Sequence, residues 1–247
     1  MIYLISQDVI DFLILIIIQN KAMGIYIEAL ILYFLLFSSG FAAVFTVTAP
    51  VQFSVPAEFY KIIMYYIPSL ALIWYLIYKS RNAESHDNKG EVFTLPGFGL
   101  KKKDVVSCLI ALPGLLITGT IITLISINID GFSAQITLAS PVTFMEWAAL
   151  CFSCIFAAYL EESYFRFYLL SRREELNLGA RSALALSVIL FSICHLYAGL
   201  WSFLNAVFCG AFLGIIFLRY KSLHGIAIAH ALYNIFAFVI YAQINQY

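Results

Sequence analysis

The sequence predicts an all-α fold, a polytopic bundle of about eight transmembrane helices, from three observations. Hydrophobic residues make up 63% of the 247 residues and charged residues only 11%, whereas soluble domains are about 25% charged. The apolar residues occur in runs of about 20, the length of helix that crosses a bilayer. Lys and Arg residues concentrate between these runs in a pattern that one membrane topology explains.

The predicted spans follow from the apolar runs in order. The first run, 8–20, is short and contains Asp8 and Asp11, so it is a weak span or an interfacial segment, and without it seven spans remain. The residues before Lys21 also lack the basic start and small-residue cleavage site of a signal peptide. The other predicted spans are 25–49, 59–79, 104–127, 143–171, 182–198, 200–218 and 222–243.

Basic residues predict the orientation, because cytoplasmic loops of membrane proteins are rich in Lys and Arg. The polar stretch 80–103 includes the triplet Lys101–Lys103, and we expect this loop to be cytoplasmic. Strict alternation then leaves only Lys61 and Arg166 of the 14 Lys and Arg residues outside the cytoplasm. The sequence therefore predicts a multi-pass protein of the cell membrane. A net charge of zero gives no indication of a nucleic-acid partner.

We expect one membrane domain over 1–247. Residues 1–140 would form variable N-terminal spans with the cytoplasmic loop 80–103, and residues 141–243 the core. In the seventh span Ala206, Gly210 and Gly214 recur every four residues, and such a stripe of small residues lets membrane helices pack closely.

The span 143–171 contains three charged residues, Glu161, Glu162 and Arg166. Each charge at a helix centre costs about 2.5–3.5 kcal/mol on insertion scales, so each needs a partner. Glu162 and Arg166 are four residues apart and can pair on one face. Glu161 points about 100° away around the helix. It therefore requires a partner on another helix, or a water-filled cavity.

Polar residues at similar depth in two later spans supply such partners. Measured along their helices from the predicted cytoplasmic ends, Glu161 lies roughly 15 Å deep, His195 roughly 20 Å, and His230 and Asn234 roughly 12 and 18 Å. A single His in an apolar span is usually a hydrogen-bonded core residue. Three spans that bring an acid, two imidazoles and an amide to one level indicate a polar site.

These residues lie in three motifs that resemble those of a known family. "EESYFR" fits EExxxR, "FSICH" fits FxxxH, and "HALYN" fits HxxxN, in this order on late spans. The pattern resembles the CAAX-protease and bacteriocin-processing family (CPBP, or Abi) of intramembrane proteases, related to the type 2 CAAX prenyl endopeptidase. The resemblance covers about residues 140–240, and it implies that the core over 141–243 is the catalytic part of the chain.

The resemblance implies roles for seven residues. Glu161 and His195 would activate a water, and His230 and Asn234 would stabilise the oxyanion of the tetrahedral intermediate. Glu162, Arg166 and Phe191 would support the site. The substrate would be a membrane-associated protein or peptide, with or without a lipid, at the bilayer. We favour a mechanism without a cofactor, although Glu161, His195 and His230 could also ligate zinc with an open position for water.

Two other function classes stay open at this stage. Buried Glu, His and Arg residues also form ion pathways, so a small ion-coupled transporter is one alternative, although no duplicated half is evident. The other is a non-catalytic protein for bacteriocin immunity or peptide binding, in which Glu161 would tolerate Gln. The sequence contains no GxSxG, HExxH or glycine-rich phosphate loop, which argues against serine-hydrolase, zincin and nucleotide-binding functions.

Overall fold

A computed structural model describes residues 21–43, 53–84, 97, 99–129 and 140–244, and these residues form helices and no β-strand. The predicted all-α class is therefore confirmed for this part of the chain. The helices are α1 (Lys21–Ala43), α2 (Val55–Lys61), α3 (Ile67–Glu84), α4 (Lys102–Ile127), α5 (Phe144–Glu162), α6 (Ala180–Ile193), α7 (Leu200–Tyr220) and α8 (Leu223–Ile244).

Two π-helical segments and one short 3-10 segment join some of these helices. The first π segment (Ile62–Tyr66) connects α2 to α3 without a break, and the second (Ser163–Tyr168) continues α5. The 3-10 segment, Leu196–Ala198, follows α6. π segments occur mostly as short insertions in α-helices and are frequent at functional sites.

Among the described residues, five stretches are long and apolar enough to cross a membrane: Val55–Ser80, Lys102–Ile127, Phe144–Tyr168, Leu200–Tyr220 and Leu223–Ile240. They match five of the predicted spans closely. Met23–Ser38 and Ala180–Ile193 are shorter apolar helices. The predicted span 8–20 and most of the loop 80–103 lie outside the described residues, so the side of that loop stays a prediction.

The predicted span 182–198 is wrong in its extent. Helix α6 has 14 residues, about 21 Å at 1.5 Å per residue, which is shorter than the roughly 30 Å hydrocarbon core. The helix ends at Ile193, and Gly199 with φ 93° separates the 3-10 segment from α7. This backbone conformation favours glycine because it lacks a Cβ atom. The chain therefore reverses direction between α6 and α7, and His195 lies in the connecting turn.

Close helix contacts hold α4, α5, α6, α7 and α8 together. Helix α8 packs against α4 and α5, and α7 packs against α4 and α6. The predicted small-residue stripe is confirmed, because a Cβ on Gly210 would lie 2.8 Å from Phe191 Cδ1 and one on Gly214 would lie 2.3 Å from Leu184 Cδ1. Both contacts lie between α7 and α6. The stripe therefore sets how closely the turn that contains His195 approaches α7.

Aromatic side chains of the second π segment form the centre of the core. Tyr164 is fully buried, and its hydroxyl donates to the Ala29 carbonyl at 2.7 Å. Tyr33 of α1 donates in the same way to the Leu190 carbonyl at 2.9 Å. Buried phenols need such acceptors. These two bonds tie α1 to the second π segment and to α6.

An ion-pair cluster lies on the C-terminal side of the second π segment. Arg172 Nη1 donates to Glu28 Oε1 at 2.7 Å, and Arg172 Nη2 donates to Glu175 Oε2 at 3.1 Å. Burial lowers the pKa of the Arg172 guanidinium, but the hydrogen bonds to Glu175 and Glu28 outweigh it and leave this pKa raised. Glu28 also accepts from the Tyr168 hydroxyl at 2.6 Å. The acid in α1 is thus part of a structural ion-pair cluster.

Candidate active site

Glu161 and His195 line the same cavity, which has a volume of ≈ 270 Å³. Glu161 is the penultimate residue of α5, and its side chain is 20% exposed. His195 is the second residue after the end of α6 and is half-buried. The structure therefore brings the predicted acid and the first predicted imidazole to one space, although they are 34 residues apart in the chain.

The end of α6 determines the orientation of the His195 ring. The last carbonyls of a helix lack partners within the helix, and the Phe191 carbonyl lies 2.7 Å from His195 Nδ1. A carbonyl oxygen can only accept, so we assign the proton of the neutral ring to Nδ1. Nε2 then carries a lone pair, as a group that accepts a proton requires.

His230 lies between two carboxylates. Its Nδ1 is 2.8 Å from Glu162 Oε1, and its Nε2 is 3.7 Å from Glu161 Oε2. His230 is 5% exposed and Glu162 fully buried. The structure thus brings His230 to Glu161, as the depth argument predicted. Asn234 lies one turn further along α8 and is partly buried.

The predicted pairing of Glu162 with Arg166 is confirmed, at 3.2 Å between Glu162 Oε2 and Arg166 Nε. Both side chains are fully buried. Sequence reasoning missed the second partner of Glu162, because it considered only residues one helical turn away. The comparison of depths along the predicted spans could have identified this contact, because Glu162 is next to Glu161 and therefore also lies at the level of His230.

The charges of this buried cluster balance when His230 is protonated. Glu161 and Glu162 contribute two negative charges, and Arg166 and His230 then contribute two positive charges. Buried charges are tolerated when they are paired and hydrogen-bonded. Protonation would also place an N–H on both ring nitrogens of His230, so Nδ1 can donate to Glu162 while Nε2 faces Glu161.

The Phe191 ring packs against the Arg166 guanidinium and against the rings of both histidines. The Arg166 guanidinium carbon is 4.5 Å from the centre of the Phe191 ring, a cation–π distance. The same ring lies 4.6 Å from the His195 ring and 5.9 Å from the His230 ring, between centroids. Arg166 Nη2 also donates to the Gly210 carbonyl at 3.1 Å. Arg166, Phe191 and the histidines therefore form one packed unit.

The opposite wall of the cavity comes from the N-terminal helices, which sequence reasoning did not assign to the site. Leu36 and Phe37 of α1 and Tyr65 and Tyr66 of the first π segment line it. No sequence motif identifies these four residues, because apolar and aromatic side chains occur throughout every span. Their position at the cavity follows from the packing of α1 against the 3-10 segment and of the first π segment against α5.

The donor set does not form a compact metal site. In the parts of the chain that the structure describes, no group of three or more His, Cys, Asp or Glu side chains is arranged to hold a metal ion. His195 Nδ1 and His230 Nδ1 are engaged by Phe191 and Glu162, so only the Nε2 atoms could ligate zinc. The choice between the metal-free and zinc alternatives is a matter for experiment.

Comparison with known proteins agrees with the motifs. No curated protein and no solved structure matched the chain. One protein-family model matched, over 94 of the 247 residues, about two-fifths of the chain. This segment contains α5, α6, α7 and all seven residues named for the site. The family match supports the interpretation as a CAAX-type membrane protease in general terms, and the five apolar helices support a membrane protein. Residues 143–236 match the Rce1-like family, type II CAAX prenyl endopeptidase, as the three motifs predicted.

Proposed function

We propose that this protein is an intramembrane endopeptidase that hydrolyses a peptide bond in a membrane-associated protein or peptide. The observation that carries the proposal is the shared cavity of Glu161 and His195, with His230 Nε2 at 3.7 Å from the Glu161 carboxylate. A base (Glu161), a second proton acceptor (His195) and a hydrogen-bond donor (His230) thus lie close together beside a cavity. Peptide hydrolysis needs these groups, and neither a transporter nor a binding protein requires all of them.

Glu161 and His195 would activate the attacking water. The Glu161 side chain is 20% exposed and lines the cavity, and His195 Nε2 has a lone pair when Nδ1 donates to the Phe191 carbonyl. A water that donates one hydrogen to each group presents its own lone pair to the substrate carbonyl carbon. Glu161 takes one proton as the carbon–oxygen bond forms. This proton then goes to the nitrogen of the leaving amine as the carbon–nitrogen bond breaks, so the Glu161 carboxylate is regenerated.

His230 and Asn234 would stabilise the negative charge that develops on the carbonyl oxygen. Such donors act best when they are held in place before the reaction. Glu162 holds His230 through Nδ1, and Arg166 in turn holds Glu162. The His230 Nε2–H and the Asn234 side-chain amide are one helical turn apart on α8, so both can face one oxygen.

The proposal is tested by cleavage of membrane-tethered peptides by the purified protein in lipid vesicles. We expect cleavage by the wild-type protein and a loss of cleavage in His195→Ala. We also expect chelators to leave the rate unchanged, because the mechanism above uses only protein groups and water. A rate that chelators abolish and zinc restores would establish the zinc alternative. Ion-dependent uptake without cleavage would support the transporter.

Removal of either oxyanion donor should slow the reaction. We expect His230→Ala and Asn234→Ala each to lower kcat by about 10²–10³, the usual effect of one lost oxyanion donor. Single-turnover kinetics with a tethered peptide measures this, and the apparent affinity for the peptide should change little. An unchanged kcat in Asn234→Ala would remove Asn234 from the proposed oxyanion hole.

The physiological substrate and the cell membrane as the location are part of the same proposal. The five apolar helices and the family match support a substrate at a lipid bilayer. The physiological substrate can be identified with a variant that binds the substrate but does not cleave it. A Glu161→Gln protein that retains bound membrane proteins in cells, followed by mass spectrometry, would show whether they are lipidated.

A further inference from the structure

We propose that the N-terminal wall of the cavity is a binding pocket for one apolar side chain of the substrate, next to the bond that is cut. This inference rests on the proposed function and adds the part of the chain that selects the substrate. The wall consists of Leu36 and Phe37 from α1 and Tyr65 and Tyr66 from the first π segment. All four residues precede the segment that matches the family.

Two consecutive tyrosines of the first π segment, Tyr65 and Tyr66, line the same cavity. The Tyr65 and Tyr66 ring centroids are 5.2 Å apart. The Tyr65 hydroxyl donates to the Leu36 carbonyl, which ties the π segment to α1. The wall is therefore formed before a substrate binds.

The chemistry of the wall favours an apolar occupant. This part of the cavity is lined by Leu36 and Phe37 of α1, by Ala157 and Leu160 of α5, and by the two tyrosine rings. The ionisable groups at the catalytic side, Glu161 and His195, are used by the reaction. A charged substrate side chain would lose its hydration among these apolar groups without a dedicated partner, which is unfavourable. Burial of an aliphatic or aromatic side chain in the same space is favourable, because it removes apolar surface from water.

The size of the cavity limits the occupant to a single side chain. Its volume of ≈ 270 Å³ is just below the roughly 300–1,000 Å³ of pockets that hold drug-sized ligands. The scissile peptide group must also approach Glu161 from this space. We therefore expect discrimination by size, with Leu and Phe accepted, Trp disfavoured, and Asp excluded.

Ala157 offers a direct test, because it lines the cavity one turn before Glu161 and is only partly buried. Reporter peptides with a single span, placed in vesicles of phosphatidylcholine and phosphatidylglycerol, would carry Ala, Leu, Phe, Trp or Asp at the residue next to the cut. One methylene in such a pocket is worth about 10–200-fold. We expect Ala157→Leu to lower cleavage of the Leu and Phe peptides at least about tenfold relative to the Ala peptide, and Ala157→Val to lower it less.

An opposite change and a matched control complete the series. Tyr66→Ala should enlarge the pocket and raise cleavage of the Trp peptide relative to the Leu peptide. Ala71→Leu makes the same substitution at an exposed position of α3 and should leave all ratios as in the wild type. If Ala157→Leu and Ala157→Val change all peptides by one common factor, the pocket proposal is wrong, while the proposed hydrolysis stands.

A binding measurement separates failure of the pocket from failure of the proposed function. The Glu161→Gln protein would be irradiated with single-span peptides that each carry the aliphatic diazirine photo-leucine at one of several successive positions, so that no cut site needs to be known. Cross-links to residues 36–37 or 65–66, lost in Ala157→Leu, support the pocket even if the wild type cuts no peptide and the proposed function fails. Cross-links confined to other helices would overturn the pocket whether or not cleavage occurs.

Discussion

Replacement of Glu161 by Gln is expected to abolish peptide cleavage, with a fall in kcat of about 10²–10⁴, the contribution of a positioned general base. Gln keeps the shape of the side chain but cannot take a proton from water. The measurement is the single-turnover rate on a membrane-tethered peptide, with the photo-cross-link as the measure of binding. Binding should persist when the rate is lost.

The matched control is Glu174→Gln. Glu174 is an exposed acid, with 73% of its side chain accessible, and pairs with Arg173, outside the cavity. We expect this variant to cleave at the wild-type rate. If Glu161→Gln retains full activity, the protein does not use Glu161 as its base. Peptide binding without any cleavage in the wild type would instead indicate the non-catalytic alternative.

The second large effect is expected on stability, from Arg166→Met. This change leaves the fully buried Glu162 carboxylate without its guanidinium partner, and a broken buried ion pair typically costs about 3–5 kcal/mol. It also removes the donor to the Gly210 carbonyl. The free energy of unfolding in detergent measures the loss. Activity should fall as well, because Glu162 holds His230.

Two further variants separate the buried charge from the lost packing. In the double variant Glu162→Gln with Arg166→Met, the unpaired charge is gone and the amide can still accept from His230 Nδ1, so part of the stability should return. Lys61→Met breaks an ion pair with Glu58 in which the Lys61 side chain is 45% exposed, and it should cost less than about 1 kcal/mol. Equal losses in Arg166→Met and Lys61→Met would contradict the proposed importance of burial.

The grouping of the site residues shows how far the sequence could lead. Depth along the predicted spans brought Glu161 and His230 together, because a helix converts residue number into distance at a constant rise. The same reasoning placed Glu162 with Arg166 alone. It could not detect the contact of Glu162 with His230, because the rotation of α8 about its own axis depends on packing against α4 and α5.

The helix that precedes His195 shows where the prediction failed. An apolar run from 182 to 198 has the composition of a span, but α6 ends at Ile193 and the chain turns at Gly199. Hydrophobicity measures whether residues can lie in lipid or in a core and does not state whether they form one helix. The termination of α6 frees the Phe191 carbonyl for His195, so the error falls at the site itself.

The sequence by itself determined the membrane class, the positions of five apolar helices, and the three motifs that carry the proposed chemistry. These depend on composition and on short-range spacing, which every folded arrangement of the chain preserves. Tertiary structure alone decided that His230 lies between two carboxylates and that Tyr65 and Tyr66 close the cavity. Both depend on contacts between helices far apart in sequence, and those contacts form only when the whole bundle packs.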